Sequence, residues 1–225
     1  MNRLLEAPRG SLWLGGMALA GLVIFSTALA ALMLPYSRII ETQGGADLTC
    51  LHVPFTVERA AAILTTYDAT AREAVRALHV PGDTLFPVGY ALLYAGLVGL
   101  VAREQSGRWR ALGRAAMWMP VAAMVLDWTE NAFILRMVAI TEAQGVEALP
   151  AWLPLLGGLA GSLKYLCLSM FTPLIGLSLI ARSLVDRDSR PAHRTVVIYG
   201  VVAVMLLFNV GQVVTGVLPC LGGVG

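Results

Sequence analysis

Charge is scarce in this sequence, and lysine is almost missing. Only 13% of the 225 residues are charged, and Lys164 is the single lysine among 16 basic residues. The net charge of +2 is too small to argue for nucleic acid as a partner. The 3 cysteines contain no C-x-x-C pair, which argues against a thiol oxidoreductase. There is no phosphate loop, dinucleotide fingerprint, zincin motif or nucleophile elbow, so no reaction and no cofactor are assigned. His52 and His79 share a stretch with Asp47, Asp83 and Cys50 but lack compact metal-ligand spacing; the expectation is two solvated histidines and no metal. Strict apolar–polar alternation is missing too, which speaks against a β-barrel.

What is present is hydrophobicity, at 57% of residues. It falls in continuous runs long enough to cross a bilayer, so the expected fold is all-α: a single integral membrane domain over 1–225 built as a polytopic helical bundle. Five transmembrane helices are read, at about 11–34, 84–102, 115–140, 152–181 and 195–218. Ala28-Leu29-Ala30 looks like a signal-peptidase site, but the apolar run continues past it and reads as an uncleaved anchor. Asp83 is the expected N-cap of the second span, with Pro87 in its first turn. Pro120 either kinks the third span or opens it, and Pro173 should bend the fourth.

Between the first two spans lies a long connection, Pro35 to Gly82. Val57, Ala60, Ile63, Leu64 and Tyr67 have the spacing of an amphipathic helix. Thr70-Ala71-Arg72-Glu73 reads as a capping box opening a second short helix, ended by Pro81-Gly82. These short amphipathic helices, at about 54–80, form an outer cap on the bundle. Ten of the 16 basic residues fall in the N-terminal head and in two loops around Arg103–Arg114 and Arg182–Arg194. Those segments alternate to share one side, giving N-terminus in, C-terminus out, and a multi-pass protein of the cytoplasmic (inner) membrane.

The costly residues lie inside the third span: Asp127, Glu130 and Asn131, with Trp128 among them in sequence. Asp127, Glu130 and Asn131 share one helical face, and such groups usually turn towards a bundle interior or a wet cavity. Lys164 is their expected partner. A short loop joins the third and fourth spans, and counting from it puts Asp127, Glu130 and Lys164 at roughly the same depth, about ten to thirteen residues in. Gly157 and Gly161 form a G-x-x-x-G pair on the face that continues to Lys164, so close helix approach and charge coincide there.

Two acids then meet one base, and a proton or a cationic ligand could supply the missing charge. Tyr94 is read as level with Glu130, and Tyr90 as the weaker candidate because tyrosines near span ends are common interface anchors. Asn209 and Gln212 could extend the network or simply glue helices together. Trp128 could shield the charges or stack on a ligand. Cys167 reads as core packing; Cys50 and Cys220 both fall on the expected outer side, where an oxidising compartment would permit a disulfide.

Phe55-Thr56-Val57-Glu58-Arg59, the Asp83 to Tyr90 stretch, Asp127 to Asn131 and Leu163-Lys164-Tyr165 together resemble a family of small bacterial multi-spanning membrane proteins of uncharacterised function. The resemblance covers most of Cys50 to Met170 and implies an integral membrane protein, with no activity attached. A looser likeness is to sterol-isomerase and sigma-2-like membrane proteins, whose motifs do not occur here in order. The expected function is an intramembrane pocket for a lipid or amphiphile beneath the outer cap, engaged by Asp127 or Glu130 and lined also by Tyr94. The alternatives are a proton- or cation-coupled carrier and a structural or accessory subunit, the latter without a cavity. Beyond the lipid bilayer no partner or oligomeric state is assigned.

Overall fold

The computed structural model describes residues 5–7, 9–44, 48–185, 193–216 and 220. Among them every regular element is helical. The elements are α1 (Gly10–Ala28), α2 (Leu34–Gly44), α3 (Leu48–Leu51), α4 (Val57–Leu64), α5 (Ala69–Ala77) and α6 (Asp83–Arg103). They continue with α7 (Gly107–Ala116), α8 (Met119–Gln144), α9 (Trp152–Tyr165), α10 (Thr172–Val185) and α11 (His193–Gly216). Three π-helical turns, Leu29–Met33, Leu78–Gly82 and Leu166–Phe171, fuse neighbouring helices into longer ones. Three of the resulting helices are long and apolar enough to cross a membrane: Gly10–Gln43, Ala69–Arg103 and Trp152–Val185.

Each π turn accompanies a proline, and this revises the expected boundaries. A proline ring clashes with the carbonyl four residues back and brings no N–H to it. A π turn widens the ladder at that point and lets the helix continue. The carbonyls opposed to Pro35 and Pro173, on Ala31 and Ser169, lie within π turns, and Pro81 lies inside the third. The first helix therefore does not stop near Leu34, and Pro35 opens no long connection. Pro81-Gly82 likewise does not end the second cap helix, which runs on into α6. Asp83 is not an N-cap; it is a buried carboxylate in the interior of a continuous helix.

Local caps also differ from expectation in one place. Thr56 accepts a hydrogen bond from the Arg59 amide and opens α4; in that first turn a backbone N–H and the Thr56 hydroxyl hold the Glu58 carboxyl below its usual range. At α5 the cap is Asp68, whose carboxylate accepts from the Ala71 amide at 2.7 Å, so the Thr70 capping box is not used. Its extended backbone turns the chain just ahead of Ala69. Helix α8, read from the sequence as the third span, begins at Met119, with Pro120 in its first turn, because Gly107–Ala116 folds as a separate amphipathic helix.

Helix α6 lies at the centre, packed on α1, α7, α8, α10 and α11. Its approach to α1 is backbone-close: a Cβ built on Gly96 would lie 2.7 Å from the Ala18 nitrogen, and one on Gly89 2.7 Å from the Phe25 Cα. Small residues permit this contact, as in membrane helix pairs generally. The cap helices α4 and α5 bury Ile63, Leu64, Tyr67, Ala71 and Val75 against Ile134 and Met137 of α8. A second core joins Ala123 of α8 to Tyr90, Leu97, Leu179 and Leu206. Between the two cores, on α8, lie Asp127, Glu130 and Asn131. Helix α9 is apolar on its outside (Leu155, Leu159 and Leu163 exposed), with Gly157, Gly158, Gly161 and Lys164 turned inward.

Candidate functional site

The polar layer is held by three helices and one irregular segment. Asp127 and Glu130 from α8 meet Lys164 from α9: Nζ lies 3.1 Å from Asp127 Oδ1 and 2.5 Å from Glu130 Oε2. From α6, Tyr90 donates its hydroxyl hydrogen to Asp127 Oδ2 at 2.9 Å. From the segment before α4, His52 Nδ1 lies 2.7 Å from Glu130 Oε1. Glu130 is wholly excluded from solvent, at 0% exposure. Lys164 thus bridges both acids, and each acid has a second polar partner of its own.

The segment carrying His52 is pinned to α9 in several ways. Phe55 adopts φ 57°, the left-handed region that a bulky residue rarely occupies, and its ring rests over Gly158. The His52 carbonyl lies against Gly161. Cys50 and Cys220 are joined by a disulfide, and the Arg59 guanidinium donates to the Cys220 carbonyl. The cross-link closes a loop of 170 residues in sequence. Replacing both cysteines with serine should therefore lower stability by about 2–5 kcal/mol, read as a lower thermal midpoint under oxidising conditions only.

Other sequence-derived candidates sit elsewhere. Tyr94 turns to the Met205 carbonyl of α11, 3.4 Å away, and reaches neither carboxylate. The depth count assumed a span starting at Thr84, whereas the helix begins at Ala69, and Tyr90, one turn nearer the cap, is the residue level with Asp127. Asn209 donates to the Leu168 carbonyl at 2.9 Å and accepts from the Ser169 hydroxyl at 3.0 Å. It satisfies the polar groups of the π turn and fastens α11 to it. The Gln212 side chain lies outside the described residues. Cys167 is free and half-buried. Trp128 does not cover the charges; it is 40% exposed and donates its indole N–H to the Thr84 carbonyl at 3.3 Å.

His52, His79 and Asp83 join the site although the sequence reading left them in solvent or in a cap. His79 is buried, with Nδ1 2.7 Å from the Val75 carbonyl. A carbonyl only accepts, so Nδ1 carries the proton, and in the neutral ring Nε2 is an acceptor. That Nε2 has no hydrogen-bond partner; Asp83 Oδ2 lies 3.8 Å from it. Asn131 gives its amide hydrogen to the Asp83 carbonyl at 3.4 Å, and its Oδ1 is buried and unpartnered. Pro87 explains why that carbonyl is available, since it has no N–H to offer four residues on.

These groups border a groove of ≈380 Å³ lined by His79, Val80, Asp83, Thr84, Trp128, Asn131, Ala132 and Leu135. It opens between the start of α6, with the π turn before it, and α8, and Asn131 lines it. Asp127, Glu130 and Tyr94 do not line this groove: the first two are packed against Lys164, and Tyr94 turns to the Met205 carbonyl of α11. Among the described residues no group of three His, Cys, Asp or Glu side chains is placed to hold a metal ion. Comparison with protein-family models, with curated proteins and with solved structures gives no match.

Proposed function

We propose that this chain is a multi-pass protein of the cytoplasmic membrane that holds the polar head of a lipid or amphiphile in the groove between α6 and α8. In this reading the bundle has five spans, with α8 and α11 joining the three most apolar helices. The N-terminus and the arginine-rich loops lie on the cytoplasmic side and the α4–α5 cap lies outside. At 26 residues α8 is about 39 Å long, enough to cross despite its buried charges.

The observation that carries the reading is the pair of buried atoms without a hydrogen-bond partner at the groove, His79 Nε2 and Asn131 Oδ1. A buried acceptor without a partner is costly, and a bound donor removes that cost. Around them Val80, Ala132 and Leu135 supply apolar walls suited to a chain, and Trp128 stands at the rim. The ligand is therefore an amphiphile whose head donates hydrogen bonds. The Asp127–Lys164–Glu130 cluster behind the groove holds α8 to α9 and so fixes the wall that carries Asn131.

Filling the groove tests this directly. Ala132→Trp should fold as wild type, because Ala132 is exposed at the groove edge, and should lose most of the amphiphile that co-purifies in mild detergent. An unchanged extract, by mass spectrometry of the bound lipid fraction, would refute the groove as the binding site.

A further inference from the structure

A second set of side chains lies at the opposite end of α6 from the groove. Trp109 of α7 stands between two clefts. One, of ≈490 Å³, is lined by Trp109, Ala181, Arg182 and Val185. The other, of ≈410 Å³, is lined by Arg108, Trp109 and Leu112. Each cleft contributes one guanidinium to the same indole: Arg182 Cζ lies 5.0 Å and Arg108 Cζ 5.5 Å from the ring centroid.

A guanidinium held against an aromatic ring keeps its charge and its N–H donors. Arg103 and Arg110 spend theirs on carbonyls: Arg103 on Ala7, and Arg110 on Gln105 and Arg103. Arg108 and Arg182 are exposed and, among the described residues, neither meets a carboxylate. At the ends of a surface helix and a membrane-length helix, these two oriented cations have no counter-ion among the described residues and are free to take an anion. Exposed Leu112, Leu184 and Val185 flank them and offer apolar contact on the same surface. Tryptophan with apolar neighbours and exposed arginines matches the depth at which lipid headgroups meet acyl chains.

We infer that Arg108, Trp109 and Arg182 form a binding site for the phosphate of an anionic phospholipid, with each guanidinium able to take two phosphate oxygens in a forked contact. The apolar flank is why the occupant is a lipid rather than a bare oxyanion. The site is independent of the groove between α6 and α8.

The test is native mass spectrometry of protein released from nanodiscs containing equal phosphatidylglycerol and phosphatidylcholine. Wild type should retain phosphatidylglycerol in clear excess over the bulk ratio. Arg108→Gln/Arg182→Gln should reduce that excess about tenfold, the scale of losing charge-assisted contacts. Arg182→Lys should recover only part of it, because lysine keeps charge without the planar fork. Arg76→Gln, which removes a cation paired with Glu142 near the cap, should leave retention unchanged. Retention at the bulk ratio in wild type, or equal retention in the double variant, would overturn the site. If millimolar inorganic phosphate empties it, a bare oxyanion is the occupant and the lipid assignment falls.

Discussion

Replacing Lys164 with methionine should cost about 3–5 kcal/mol and collapse the folded yield in detergent, because it leaves buried acids without their cation. Glu130 is fully enclosed and Asp127 nearly so, and Lys164 is the group that both share. Glu130→Gln should be milder: its amide oxygen still faces His52 and Lys164 keeps Asp127. The informative variant is the triple, Lys164→Met with Asp127→Asn and Glu130→Gln. It removes every charge of the cluster together and should recover most of the loss, since neutral amides in place of a buried ion pair cost far less than an orphaned ion. The double Lys164→Met/Glu130→Gln should recover less, because Asp127 would remain with only the Tyr90 hydroxyl. A Lys164→Met protein that folds at wild-type yield would show that the cluster does not lock α8 to α9.

That three-way contact was readable from the sequence, and the groove beside it was not. Counting residues from one short loop placed Asp127, Glu130 and Lys164 at a common depth because both helices are regular between the loop and the charges. Helix α9 turns π-helical only after Lys164. The same count failed for Tyr94, whose helix starts fifteen residues before the assumed end, at Ala69. The cause is Pro81-Gly82, which has the composition of a helix stop although a π turn carries the helix through it. Extending the helix across that proline would have revealed one stripe, His79, Asp83, Tyr90 and Tyr94, at spacings of four, seven and four. Asp83 would then have read as an interior carboxylate, and His79 as its neighbour one turn away. His52 gave no such signal. It reaches Glu130 because Phe55 in a left-handed conformation and the Cys50–Cys220 link fold an irregular segment onto α9, which no periodicity encodes.

The two glycines of the G-x-x-x-G pair should respond in opposite directions to the same substitution. Gly161→Ala should destabilise by about 1–3 kcal/mol or more, the range for overpacking a filled interior. Its new methyl would collide with the His52 carbonyl and would lie 2.6 Å from Glu130 Oε1. The carboxylate could shift by rotation, but the carbonyl belongs to a backbone held by Phe55 and the disulfide. Relief then requires moving the His52 segment away from α9, and with it the His52–Glu130 contact. Gly157→Ala should be neutral or stabilising. Its methyl would meet Phe133 Cβ at 3.4 Å, ordinary contact distance, while alanine gains helix propensity of up to about 1 kcal/mol over glycine. Thermal midpoints of the two variants decide it. Close helix–helix approach alone predicts comparable losses at both positions; a large loss at Gly161 alone means that this glycine's function is to admit the His52 segment to the charged layer.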